Sequence, residues 1–197
     1  MMSKKFVIFI DTQADFMLST GALYVQGAES IVGGLVRYAY DLDAAETAGV
    51  LFTFDTHRTE TYPDMPESQQ FPIHCVEGTT GWMNVVSYKM INNNIPTYML
   101  TKGVFNMWEE PGRTLIQLRD QKSSFDRDRF FEDLKEQSID TIVVVGVAAD
   151  FCVKWAVDGL IAQGFNVEIP RDLTAGIVRD IDTVVLEDYA GQTVTVV

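Results

Sequence analysis

Histidine and cysteine are scarce in this sequence. There are two of each in 197 residues: His57, His74, Cys75 and Cys152. Two cysteines allow one disulfide at most, and a chain of this length has core enough to fold without it, so both are expected as free thiols. The shortage of histidine is the tighter constraint. If both imidazoles bind a metal, none remains as a base for a cysteine, and any cysteine chemistry must draw on a carboxylate or a lysine.

Basic residues are also short: 15 Lys and Arg stand against 28 Asp and Glu, a formal net charge of −13. That excess repels phosphate backbones and anionic membrane surfaces, which argues against nucleic acid as a partner. No apolar run approaches the roughly 20 residues that a membrane span requires. The opening MMSKKFVIFID is too short and turns acidic too soon for a signal peptide. A cytoplasmic protein with no membrane partner is expected. Repeats, low-complexity tracts and linkers are lacking as well, so residues 1–197 read as one domain, with a hydrophobic fraction of 47% that is ordinary for a globular chain.

What is present is organised around residues 141–164. Five β-branched residues, 141–145, run without a break, as in a parallel strand buried on both faces. Gly146 ends the run. A helix pattern then begins with Asp150 as its N-cap, carries Val153, Ala156, Val157, Leu160 and Ile161 on one stripe, and stops at Gly164. Cys152 falls in the first turn, where unpaired N–H groups and the helix dipole favour thiolate over thiol. A nucleophile and a small buried hydrophobe both fit that local pattern.

Strands are expected at 5–10, 50–54, 95–101, 141–145, 165–169 and 193–197. Helices are expected at 31–47 behind a Ser30 cap, at 125–136 and at 180–189, with a short amphipathic piece at 83–92. Residues 56–82 form a long loop of the kind that usually carries function. The stretch 103–124 has no clear pattern. Strands alternating with helices at this spacing predict a three-layer α/β/α sandwich on a six-stranded, mainly parallel sheet. Such sheets bind ligands at the carboxyl ends of their strands. Asp11, Asp55, Lys102 and the Cys152 turn each lie just past such an end.

Two constellations follow. In the first, the carboxylate of Asp11 can take a proton from the Cys152 thiol, while the Lys102 ammonium keeps the carboxylate ionised and favours the thiolate. Taken singly, Asp11 is better read as a turn or cap residue and Lys102 as a solvated strand end; together, at three strand ends, the functional reading leads. In the second, Asp55 and His57 share one face of an extended segment, and Glu67 and His74 come from the loop beyond. A mixed carboxylate and imidazole set suits one divalent ion, Zn²⁺, Mn²⁺ or Fe²⁺. Glu60 and Asp64 are rival carboxylates that spacing does not separate from Glu67.

The segments FIDTQADFM, FDTHR, FPIHCVEGTTGW, TKGVF and GVAADFCV, in this order, resemble the isochorismatase-like cysteine hydrolases, and within them the nicotinamidases. The resemblance runs from Phe6 to about Ala175. It implies a catalytic triad of Asp11, Lys102 and Cys152, and a metal held by Asp55, His57, Glu67 and His74 that binds a pyridine nitrogen. It also implies a cis peptide at Val147–Ala148, an oxyanion hole made by the Ala148 and Cys152 N–H groups, and Phe16 and Phe71 flanking the substrate ring. The implied activity converts nicotinamide to nicotinate and ammonia through a thioester, within NAD salvage, and a homo-oligomer is expected. Two departures stand out: Thr56 occupies a place where the family often has Trp, and 103–124 is longer and different, although Ser124-Phe125 is similar to a short family signature. The alternatives are another amide or carbamoyl hydrolase of the same superfamily, or a non-catalytic metal-binding or interaction module.

Overall fold

The computed structural model describes residues 4–197; residues 1–3, part of the opening stretch read above for a leader, lie outside it. Along the chain come β1 (Lys5–Ile10), α1 (Ala14–Met17), α2 (Ala28–Asp41), β2 (Thr47–Asp55), β3 (Thr97–Lys102), β4 (Thr114–Gln117) and β5 (Ser124–Asp126). They are followed by α3 (Arg127–Glu136), β6 (Thr141–Val147), α4 (Cys152–Ala162), β7 (Asn166–Ile169), β8 (Thr174–Ala175), α5 (Ile181–Asp188) and β9 (Val194–Val196).

The sheet runs in the order β5-β4-β3-β2-β1-β6-β7-β9, with β8 pairing β6 beyond the end of β7. All six expected strands are present and mutually parallel. The sheet nonetheless has nine strands, not six. The extra ones are β4 and β5, antiparallel to their neighbours, and the two-residue β8. Strands this short, set among Gly, Pro and charged residues, carry too few alternating positions to show a period.

Alternation along β1 builds the layers. Phe6, Ile8 and Ile10 face a core shared with Phe131 of α3, Val157 of α4 and Val184 of α5, while Val7 and Phe9 face Leu35 and Ala39 of α2. From β1 the chain winds one way through β2 and β3 and the other way through β6, β7 and β9, so the switch point lies between β1 and β6. Crevices at such points are where open α/β sheets hold ligands. Gly146 sits inside β6 rather than ending it, at φ 113°, and a Cβ there would run into the Ile10 carbonyl of β1.

Several helix boundaries differ from expectation; α3, expected from 125, starts at Arg127 behind the Asp126 cap, with Phe125 in β5. Helix α2 starts earlier, behind Gly27 at φ 87°, and stops at Asp41 instead of 47. The Asp43 carboxylate accepts the Ala45 N–H, and the Lys5 N–H donates to the Glu46 carbonyl, which draws this helix-competent stretch into β2. The 83–92 piece is a single 3₁₀ turn, Tyr88–Met90, capped by Ser87. Asp150 does not cap α4: Phe151 occupies that position, and the Asp150 carboxylate accepts the N–H groups of Ile177, Val178 and Arg179. Among the described residues, no helix is long and apolar enough to cross a membrane.

Candidate active site

Asp11 follows β1 directly, in the left-handed region at φ 45°, and is held from below by β2. Thr53 Oγ1 accepts the Asp11 N–H at 3.0 Å and donates to Asp11 Oδ1 at 2.6 Å. The other oxygen, Oδ2, lies 2.7 Å from Lys102 Nζ. Lys102 ends β3 in register with Asp55 at the end of β2, which puts its ammonium 3.6 Å from Asp55 Oδ1. The same ammonium is 3.8 Å from Cys152 Sγ. Lys102 is 2% exposed, so this is no solvated strand end. Burial alone would lower its pKa, but the carboxylates of Asp11 and Asp55 push it well above the usual lysine value, so it stays charged.

Cys152 opens α4 with its thiol buried. Helix position and Lys102 favour the thiolate, and burial works against them. Burial raises the Cys152 thiol well above its ordinary value, and the nearby charges of Asp11 and Asp55 oppose the pull of Lys102. The thiol therefore rests protonated beside a carboxylate that can receive the proton. The Val147–Ala148 peptide is cis, and neither the Ala148 nor the Cys152 N–H donates to another group among the described residues. Ala148 and Cys152 line the same slot.

The second constellation lies on the far side of Lys102. His57 Nε2 is 3.3 Å from Asp55 Oδ2 and 2.9 Å from Glu67 Oε1, and His74 Nε2 is 3.1 Å from Asp55 Oδ2. The ring of His74 is oriented by the Pro72 carbonyl, 2.8 Å from Nδ1, which leaves Nε2 turned inward toward Asp55. Ligand atoms of Asp55, His57 and His74 all fall within 4.8 Å of one another. Glu67 joins them through His57, whereas Glu60 and Asp64 are exposed. Asp55 Oδ1, His57 Nε2 and Glu67 Oε1 are buried and, close as the last two lie, make no hydrogen bond of good geometry. Burial alone would lower His57, yet Asp55 and Glu67 lift it to about 9, and burial's upward push on Asp55 is outweighed by Lys102 and the two imidazoles, which hold it below the carboxylate range. One proton on His57 satisfies one of these contacts; a divalent cation satisfies the whole converging set of acceptors. The residues fit such an ion.

Phe16 and Phe71 both line a narrow apolar slot over Cys152, together with Ala148, Phe105, Phe151 and Ile177. Phe16 also packs on His74, with ring centroids 5.2 Å apart, so the slot's wall backs onto the candidate metal set. Several contributors were not legible in the sequence. Gln13 clamps the Asp55 backbone, accepting its N–H and donating to its carbonyl, each at 2.8 Å. Thr53 orients Asp11. Phe105 comes from the patternless stretch, and Phe151 and Ile177 complete the slot. Only Gln13 and Thr53 carried a signal, as polar residues inside or just past apolar strands. Cys75 lies outside the slot but beside the candidate metal set: its carbonyl accepts the His57 N–H, its own N–H donates to Asp15 Oδ2 at 2.7 Å, and burial pushes its thiol far up.

A cysteine, an aspartate and a lysine thus meet at the switch point of the parallel strands β3-β2-β1-β6-β7-β9, with a carboxylate and imidazole cluster beside them, the arrangement expected of a hydrolase of the isochorismatase type. Residues 5–197 match the isochorismatase domain, and the chain belongs to that family. The nicotinamidase/pyrazinamidase of Mycobacterium tuberculosis (strain ATCC 25618 / H37Rv) is 25% identical over 201 residues, covering 97% of each chain. The crystal structure of a pyrazinamidase of Pyrococcus horikoshii in complex with zinc superposes with a TM-score of 0.72 at 22% identity, over 98% of each chain. An N-carbamoylsarcosine amidase from Thermoplasma acidophilum superposes at 0.69 and 20% identity, covering 98% of this chain and 95% of that one. The fold is thus shared by hydrolases of different amides.

Proposed function

We propose that this protein, acting as one domain over residues 1–197, is a metal-dependent cysteine amidohydrolase that converts nicotinamide to nicotinate and ammonia in NAD salvage. One observation carries the chemistry: the Lys102 ammonium lies 2.7 Å from Asp11, 3.6 Å from Asp55 and 3.8 Å from Cys152, which joins a buried thiol, its base and a cluster of metal-binding groups at one edge. The relative at 25% identity supports nicotinamide as the substrate.

In this reading Cys152 Sγ attacks the amide carbon while Asp11 takes the thiol proton. The carbonyl oxygen, now anionic, is held by the N–H groups of Ala148 and Cys152. Asp11 passes its proton to the amide nitrogen, the C–N bond breaks, ammonia leaves and a thioester remains on Cys152. Asp11 then removes a proton from water, which attacks the thioester; nicotinate departs and the proton returns to sulfur. Lys102 stays charged throughout and fixes Asp11. Asp55, His57, Glu67 and His74 would hold the ion, Zn²⁺ being the best match to the donor set, and the ion would supply a coordination position for the pyridine nitrogen. Phe16 and Phe71 would flank the ring.

The test is steady-state ammonia release from nicotinamide, pyrazinamide and benzamide with metal-loaded and metal-stripped protein. Chelation should raise the KM for nicotinamide steeply. Benzamide has the carboxamide without the ring nitrogen and should be poor in both states, by more than the roughly 10–200-fold that one methylene gives in an apolar pocket. His57→Ala and His74→Ala should reproduce the stripped state. Equal rates for nicotinamide and benzamide, or no response to verified stripping, would transfer the assignment to another amide substrate.

A further inference from the structure

The slot over Cys152 is not the whole of the space at this edge. A second cavity of about 540 Å³ adjoins it, lined by Met65, Val104 and Trp155 among others, and the two share three residues: Phe71, Phe105 and Phe151. Their rings meet edge to face, at 5.5 Å for Phe71 with Phe105, 6.2 Å for Phe71 with Phe151 and 6.1 Å for Phe105 with Phe151. Trp155 lies outside them, 5.6 Å from Phe105 and 5.8 Å from Phe151.

Of the three shared rings, Phe71 belongs to the loop that carries His74, and Phe151 is bonded directly to Cys152. Phe105 is different. It comes from the stretch after Lys102, and that stretch is pinned to the body of the protein instead of lying loose. Trp108 Nε1 donates to the Ala156 carbonyl of α4 at 3.1 Å, Gly159 leaves room for its indole, and the Arg127 guanidinium donates to the Met107 and Glu110 carbonyls at 2.5 and 2.9 Å. A ring on such a support is a wall and not a flap.

We infer that Phe105 is a specificity-determining residue: it partitions the slot over Cys152 from the adjoining aromatic cavity and restricts the acyl group to a single ring. The inference rests on the amidase reading above. With the partition removed, slot and cavity become continuous, and the enlarged site has the apolar, aromatic lining that suits a pyridine carboxamide bearing a second ring. Its polar lining residues are Glu67, Gln70, Asn106 and Glu109, with no basic side chain among them to select an acid.

The experiment compares Phe105→Ala and the milder Phe105→Leu with the parent. Binding of nicotinamide and of 5-phenyl- and 6-phenylnicotinamide is measured by calorimetry on the metal-loaded Cys152→Ala background, and KM and kcat for nicotinamide on the active enzymes. At least one phenylnicotinamide should bind Phe105→Ala about tenfold or more tighter than it binds the parent, because the second ring gains apolar burial. Nicotinamide, losing a ring contact, should show a KM raised several-fold with kcat within about threefold, and Phe105→Leu should fall between. A merely structural role would lower kcat and the melting temperature together without the gain for the larger ligands. The partition is refuted if the phenylnicotinamides bind the parent as tightly as the variants, or if folded Phe105→Ala and Phe105→Leu leave every affinity unchanged. Failure of the metal-loaded parent to turn over nicotinamide would refute the amidase reading instead, and the binding comparison would still judge Phe105.

Discussion

Cys152→Ala is expected to lower ammonia release by at least about 10⁴-fold, as loss of a nucleophile does in enzymes whose catalytic groups act as a unit. The fold should survive, because a small side chain that is 6% exposed gives way to one of nearly the same shape, at a cost on the order of 1 kcal/mol. Nicotinamide binding should survive too, since Phe16, Phe71 and the candidate metal set hold the ring independently of sulfur. Cys75→Ala is the control. Cys75 is fully buried and outside the slot, so its replacement should touch stability and leave kcat/KM close to the parent's. Steady-state kinetics on both variants, with equilibrium binding on Cys152→Ala, would decide the matter. An inactive Cys75 variant beside an active Cys152 variant would overturn the assignment of the nucleophile.

Removing the base should cost nearly as much. In Asp11→Asn the Thr53 hydroxyl can still donate to Oδ1, so the turn is preserved, but the group 2.7 Å from Lys102 is no longer an anion and cannot take a proton. Because the resting thiol is protonated, no preformed thiolate can bypass the loss. Turnover should fall by roughly the 10²–10⁴-fold typical of general-base removal, or more. Lys102→Ala should be similarly harmful by another route, leaving the carboxylates of Asp11 and Asp55 buried without their cation. Breaking a buried ion pair from one side costs about 3–5 kcal/mol, so the melting temperature should drop along with kcat. Near-normal turnover in either variant would exclude a mechanism built on this carboxylate and lysine.

The strands that place these groups are plain in the sequence because parallel strands buried on both faces must be apolar without interruption, as 6–10 and 142–145 are. The end of β6 is not legible, since Gly146 lies inside it, but Asp11, Asp55 and Lys102 stand out as polar groups where the apolar runs of β1, β2 and β3 stop. The β4–β5 hairpin was not legible. Its strands are three and four residues long, and what holds the stretch before it is a long-range set of contacts from Trp108 to α4 and from Arg127 to main-chain carbonyls. No local pattern encodes such contacts. Asp150 misled for a related reason: a carboxylate before a helix reads as its cap, but three N–H groups from 177–179 offer it a better site. For Cys152 the helix position and a nearby lysine are visible in sequence, whereas the depth of burial that opposes them is a property of the packed fold.

The most direct measurement is the mass of the enzyme caught during turnover. Metal-loaded protein mixed with nicotinamide is quenched in acid within the first turnovers, digested, and the cysteine-bearing peptides are weighed. The account predicts a nicotinoyl thioester on the peptide that contains Cys152, none on the peptide that contains Cys75, and none on either in Cys152→Ala. Steady ammonia release with Cys152 unmodified at every quench time, or an acyl group found on Cys75, would contradict it.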